Sequence, residues 1–172
     1  TYAHPNDLKD VAVAGGALWF ATTGGALRYD LAAGTFQQYP RRLAGGPVSQ
    51  DLTSVCYDAV NGLVYFGSSD AGVSQYTVAD DRWRRFDEIP NNEIRSVTAA
   101  GGELFVATAS GFALRRSASR TDLCNDIDRG CCGPTSGACA FPSFDVRDFA
   151  LVDTALWAVT AEGAAELRGA AW

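Results

Sequence analysis

The residues best equipped for chemistry in this 172-residue chain are its cysteines. Four of the five stand in one polar run, Cys124-Asn125-Asp126-Ile127-Asp128-Arg129-Gly130-Cys131-Cys132-Gly133-Pro134-Thr135-Ser136-Gly137-Ala138-Cys139. Such a run has no apolar core of its own, so Cys124, Cys131, Cys132 and Cys139 read as two disulfides that restrict its unfolded freedom. Three pairings are open, and the one joining Cys131 to Cys132 is the least favoured because adjacent residues close a strained ring. A zinc site would compete for the same thiols, but the spacing has no Cys-x-x-Cys pair and no histidine lies nearby. Two disulfides imply an oxidising compartment, extracellular or periplasmic.

The remaining reactive groups are scattered. Cys56 stands alone, and without a neighbouring base it reads as a small buried hydrophobe rather than a nucleophile. Asp126-Ile127-Asp128-Arg129-Gly130 has a weak likeness to a calcium loop but lacks the further ligands and the distal glutamate, so it reads as a solvated turn. His4 is the single histidine. With no metal-spaced ligand set, no Ser-His pair and no carboxylate cluster, neither catalysis nor a cofactor is expected. A net charge of −6 and a pI near 4.6 disfavour nucleic acid and anionic membranes, which both need a basic surface. No apolar run has the roughly 18 residues of a membrane span, so membrane insertion is not expected.

What positions these residues is a repeat. Asp7-Leu8-Lys9-Asp10-Val11, Asp51-Leu52-Thr53-Ser54-Val55, Glu93-Ile94-Arg95-Ser96-Val97 and Asp145-Val146-Arg147-Asp148-Phe149 open four units, 44, 42 and 52 residues apart. A second apolar run follows in each, beginning at Leu18, Leu63, Leu104 and Leu156, rich in aromatic and β-branched residues as strands are. Hairpin turns precede these runs at Gly15-Gly16, Asn61-Gly62, Gly101-Gly102 and Asp153-Thr154. Gly25, Gly72, Gly111 and Gly163 then lead into a third strand, and Phe36-Gln37-Gln38-Tyr39 and Trp83-Arg84-Arg85-Phe86 supply a fourth. Four antiparallel strands per unit, with no helical period, predict an all-β fold: a β-propeller of four blades.

The chain is read as a single domain, with repeats at about 7–50, 51–92, 93–144 and 145–172, residues 1–6 serving as the outer strand of the last. The segment 119–139 is placed as a Cys-rich insertion between the third and outer strands of the third repeat. Either the N-terminal strand closes a ring of four, or the units are half of a larger ring completed by a second copy or another polypeptide. A fragment of a larger propeller or a partner-completed ring is preferred, because four blades make a tight circle.

The opening phrase is acidic at its first position and basic at its third in three units. Asp7, Lys9, Asp51, Glu93, Arg95, Asp145 and Arg147 could therefore ring one channel mouth, although tying adjacent blades together is the plainer role for such charges. Trp19, Tyr65, Phe105 and Trp157 recur at one repeat position and are expected to pack between blades. Trp83, Arg84 and Arg85 on an outer strand, and Trp172, are the candidates for contact with a neighbour.

The string Leu18-Trp19-Phe20-Ala21-Thr22-Thr23-Gly24-Gly25-Ala26-Leu27-Arg28-Tyr29-Asp30, followed by Phe36, Tyr39 and the next opening phrase, resembles the repeat of the two-component-regulator propeller family. The likeness is good in the first unit, fair in the next two and weak in the fourth, where Ala164-Ala165-Glu166-Leu167 replaces the turn. It implies a bacterial, extracellular or periplasmic, non-catalytic propeller used for sensing or interaction, normally with more than four blades. A lesser similarity is to streptogramin-lyase and lactonase propellers, whose catalytic residues have no counterparts here. The function expected is thus a protein-interaction or assembly module. A sensor fragment for a small molecule and a lyase-like enzyme are the alternatives.

Overall fold

The computed structural model describes residues 7–42, 45–87, 89–117, 120–124, 143–153 and 155–167. The first sheet runs β1 (Leu8–Ala14), β2 (Ala17–Thr22), β3 (Gly25–Asp30) and β4 (Thr35–Tyr39), in that spatial order. The second repeats it with β5 (Leu52–Asp58), β6 (Leu63–Ser68), β7 (Val73–Thr77) and β8 (Arg82–Phe86). The third has β9 (Ile94–Ala100), β10 (Glu103–Thr108), β11 (Gly111–Ser117) and β12 (Arg120–Cys124), and the fourth β13 (Val146–Val152), β14 (Ala155–Thr160) and β15 (Ala164–Leu167). Each sheet is an antiparallel meander of chain neighbours, and the described residues contain no helix.

Local chemistry explains the turns. Gly15 and Gly16 both have positive φ (56° and 74°), which closes β1 on β2 with a two-residue turn matching the strand twist. Asn61-Gly62 does not form such a turn. There the loop is four residues long, because the buried Asp58 carboxylate accepts the N–H groups of Val60 (3.0 Å) and Asn61 (3.2 Å) and the side-chain amide of Asn61 (2.6 Å).

A hydroxyl secures the next reversal in every blade. Thr22, Ser68, Thr108 and Thr160 donate to the carbonyls of Gly25, Gly72, Gly111 and Gly163 at 2.7–2.9 Å. The same oxygens accept the N–H groups of Gly24, Ala71, Ser110 and Glu162. All four side chains are buried, so each turn is satisfied without water.

The third blade corrects the placement of the insertion. Its outer strand is Arg120–Cys124, paired with β11 through Phe112↔Cys124 and Leu114↔Asp122, so the Cys-rich run follows the outer strand instead of preceding it. Residues 1–6, expected to complete the fourth blade, lie outside the described residues.

The sheets stack face to face, each gap filled by its own apolar cluster. Trp19, Tyr39, Val64, Phe66 and Tyr76 lie between blades one and two. Tyr65, Phe86, Ile94 and Val106 join two to three, and Phe105, Phe112, Phe149 and Leu156 join three to four. Among the described residues the four blades form an open arc and not a closed ring.

Candidate functional site

The opening phrase is built around a bulge. Pairing skips one residue between Leu8 and Asp10, Leu52 and Ser54, Ile94 and Ser96, and Val146 and Asp148. The third position is therefore the extra residue in every blade, and the alternation that would put it beside the first position does not apply there. The bulge turns this position to new partners. Thr53 donates through Oγ1 to the Ile94 carbonyl at 2.8 Å, from blade two to blade three. Arg95 reaches Asp145 of blade four at 3.1 Å, and Arg147 approaches the same carboxylate at 3.8 Å.

Lys9 pairs with Asp7 inside blade one at 2.7 Å, and this partner raises the Lys9 ammonium above its usual range. Asp51 accepts from Ser69, and Glu93 is exposed, its N–H donating to the Asn91 side chain at 2.9 Å. The fourth position of the phrase joins in: Asp10 accepts the Val55 N–H at 2.8 Å, and Ser96 donates to Asp148 at 2.6 Å. The phrase is thus chiefly a clasp between neighbouring innermost strands.

Two grooves offer room for a ligand. One, of about 460 Å³, lies between blades two and three, with Asn61, Tyr65, Gly102, Arg115 and Arg116 in its wall. Its guanidinium groups are engaged: Arg115 donates to Gln75 (3.1 Å) and lies 5.0 Å over the Phe86 ring, while Arg116 pairs with Glu103 at 3.0 Å. Burial pushes the Tyr65 phenol up to about 12, so it is a neutral wall at ordinary pH.

The other groove, of about 210 Å³, is lined by Arg41, Arg42, Gly45, Gly46, Val48, Trp83, Arg84 and Arg85. The Val48 N–H donates to Ser74 at 2.9 Å, pinning the 47–49 loop onto the second blade. Arg85 pairs with Asp87. Among the described residues no carboxylate pairs with Arg41, Arg42 or Arg84, all three exposed. In a chain of net charge −6, four arginines around one groove form a local positive patch that attracts carboxylates.

Arg84 and Arg85 of the sequence-predicted contact therefore stand at this groove. Trp83 does not project into solvent: its ring packs 5.1 Å from Tyr76 and 5.4 Å from both Phe66 and Tyr39, leaving one edge on the groove. Its indole N–H is buried with no hydrogen-bond partner among the described residues. Arg41 and Arg42 escaped the sequence reading. Their signal was the arginine doublet directly after the first outer strand, which the loop to blade two folds back against β8.

Trp157 differs from its counterparts in the other blades: Trp19, Tyr65 and Phe105 are buried between blades, while Trp157 is 36% exposed, with no further blade packed on its face among the described residues. Cys56 lies partly buried beside the cluster of blades two and three, and desolvation raises its thiol far above the usual range, as a structural cysteine requires. Cys131, Cys132, Cys139, Trp172 and the Cys124 side chain lie outside the described residues, and so does the disulfide expectation. Among the described residues no three His, Cys, Asp or Glu side chains group to hold a metal.

Solved structures share this architecture. The extracellular domain assigned to the hybrid two component system BT3049 of B. thetaiotaomicron matches 95% of the chain with a TM-score of 0.73 and 16% identity. The computationally designed Ika4 protein matches 96% with a TM-score of 0.68 and 11% identity, and virginiamycin B lyase from Staphylococcus aureus 91% with 0.64 and 13%. This chain spans 22% of the first, 92% of the second and 50% of the third. At these identities the likeness establishes the fold, which is propeller-type. No family model and no curated protein matches the chain.

Proposed function

We propose that the chain is a non-catalytic interaction module of a bacterial extracellular or periplasmic protein, docking an acidic protein segment in the arginine groove between its first two blades. The observation that carries this is the cluster of Arg41, Arg42, Arg84 and Arg85, three of them without an acidic partner among the described residues. Arginine serves such a role because its planar fork meets a carboxylate with two parallel hydrogen bonds. The Trp83 edge adds apolar surface, and the frame beneath is rigid, as a docking face needs. The likeness to extracellular domains supports the location, and the similarity to a lyase carries only fold.

Poly-glutamate tested by titration calorimetry should bind at low salt and weaken steeply as salt screens the charges. Reversing Arg41→Glu with Arg84→Glu should weaken it by roughly tenfold or more. Equal binding of the reversed variant sinks the reading. A second reading, a small-molecule sensor fragment, is favoured by the larger groove at Tyr65 and Asn61. It requires Arg116→Ala, and not the Arg41/Arg84 change, to abolish ligand binding.

A further inference from the structure

The two end faces of the arc resemble the two sides of the contact between blades one and two. On blade one, Trp19 rises from a bed of alanines: Ala12 is its cross-strand partner, and Ala17 and Ala26 flank it on the same face. Into that bed fit Phe66, Tyr76 and Trp83 of blade two, with ring centroids 6.0, 4.6 and 6.5 Å from Trp19. Blade four repeats these three alanines, with Trp157 opposite Ala150 and with Ala155 and Ala164 in the flanking places, while Val159 stands where blade one has Ala21. Blades two and three do not, carrying Leu63 and Val73, and Glu103 and Phe112, at the flanking positions.

The incoming aromatics recur just as selectively. Phe20, Tyr29 and Phe36 of blade one hold the register positions of Phe66, Tyr76 and Trp83. Blade three has Val106 and Arg115 at the first two of these positions. On blade one the rim of this face looks outward from the arc, with Val11 52%, Val13 64% and Phe36 42% exposed and the Tyr29 and Phe36 rings in contact at 4.7 Å, while Leu27 beside Phe20 is buried.

We infer that a second copy of this chain covers both faces: Trp157 of each copy packs among Phe20, Tyr29 and Phe36 of the other, closing two four-blade arcs into one eight-blade ring. The chain itself carries the donor bed and the aromatic acceptor, while the open arc keeps its own two halves apart. Eight blades lie within the usual range for propellers. Two head-to-tail contacts related by a two-fold axis satisfy every face, so the assembly closes instead of polymerising. The inference is independent of the arginine groove.

Light scattering of the 172-residue chain should give 36.4 kDa, twice 18.2 kDa. Trp157→Asp should return it to 18.2 kDa with its β-sheet circular dichroism retained, since this side chain belongs to none of the three clusters that join the blades. Phe20→Asp, on the opposite end, should do the same. A mixture of these two variants keeps one intact contact and should pair again, more weakly than the unaltered chain. A mass of 18.2 kDa for the unaltered chain at high micromolar concentration overturns the proposal. So does a pair that survives both substitutions, or a polymer in place of a pair.

Discussion

Trp19 and Trp157 occupy one position of the repeat and meet opposite surroundings. The first is 1% exposed, enclosed by Tyr39, Phe66, Tyr76 and Trp83; the second stands 36% exposed on the last blade. Residue type, strand and three surrounding alanines are the same, so the difference comes from whether a further blade packs on that face among the described residues. Stability in such an array is a sum of blades and the interfaces between them. Trp19→Ala should therefore cost about 3–5 kcal/mol, the usual range for emptying a buried aromatic site. Trp157→Ala, measured by urea unfolding at concentrations where the chain is a single copy, should change stability by less than about 1 kcal/mol. Equal losses would mean that the fourth blade's outer face is already covered within one chain.

The turn hydroxyls give the same contrast on a smaller scale. Thr22 is 1% exposed and Thr160 6%, and each holds a glycine carbonyl and an N–H across the reversal. Thr22→Val keeps the shape and removes both bonds, stranding polar groups between two blades at a cost of about 1–3 kcal/mol. Thr160→Val should cost less, since among the described residues blade four is packed on one face only and water can replace what the hydroxyl gave. A reversed order in thermal melts would show that the turns, rather than the interfaces, set the stability of each blade.

How far the residues alone reveal this follows from which signals are local. The period of the opening phrase, the glycines at the reversals and the strand-forming runs act within one blade, so blade number and strand order were readable. Bulges are not visible in a hydrophobic pattern, and the expected pairing of the third position with the first is present for Lys9 with Asp7 and Arg147 with Asp145, while Arg95 crosses to Asp145 of the next blade. Asp58 is another case: Asn61-Gly62 predicts a short turn, and the burial of Asp58 as the clamp of a longer loop depends on the fold around it. The arginine groove was half legible. Arg84 and Arg85 lie on a strand whose exposure could be read, whereas Arg41 and Arg42 join them through a loop path that no periodicity encodes. The exposure of Trp157 was unreadable for a different reason, because the repeat specifies a partner face without saying which chain supplies it.

The smallest effect concerns two of the ion pairs of the phrase. Arg95 and Asp145 bridge blades three and four with side chains 34% and 30% exposed, while Lys9 and Asp7 pair within one blade in open solvent. A half-exposed pair between two rigid strands spends less side-chain freedom than one between solvated ends, so the bridge should matter more. Arg95→Ala should lower stability by about 0.2–1 kcal/mol, a deficit that shrinks as salt screens the pair. Lys9→Ala should leave the melting temperature unchanged. If both changes are silent, the clasp between blades rests on its hydrogen bonds, Thr53 to the Ile94 carbonyl, Ser96 to Asp148 and the Val55 N–H to Asp10, and the ion pairs of the phrase contribute nothing to holding the arc together.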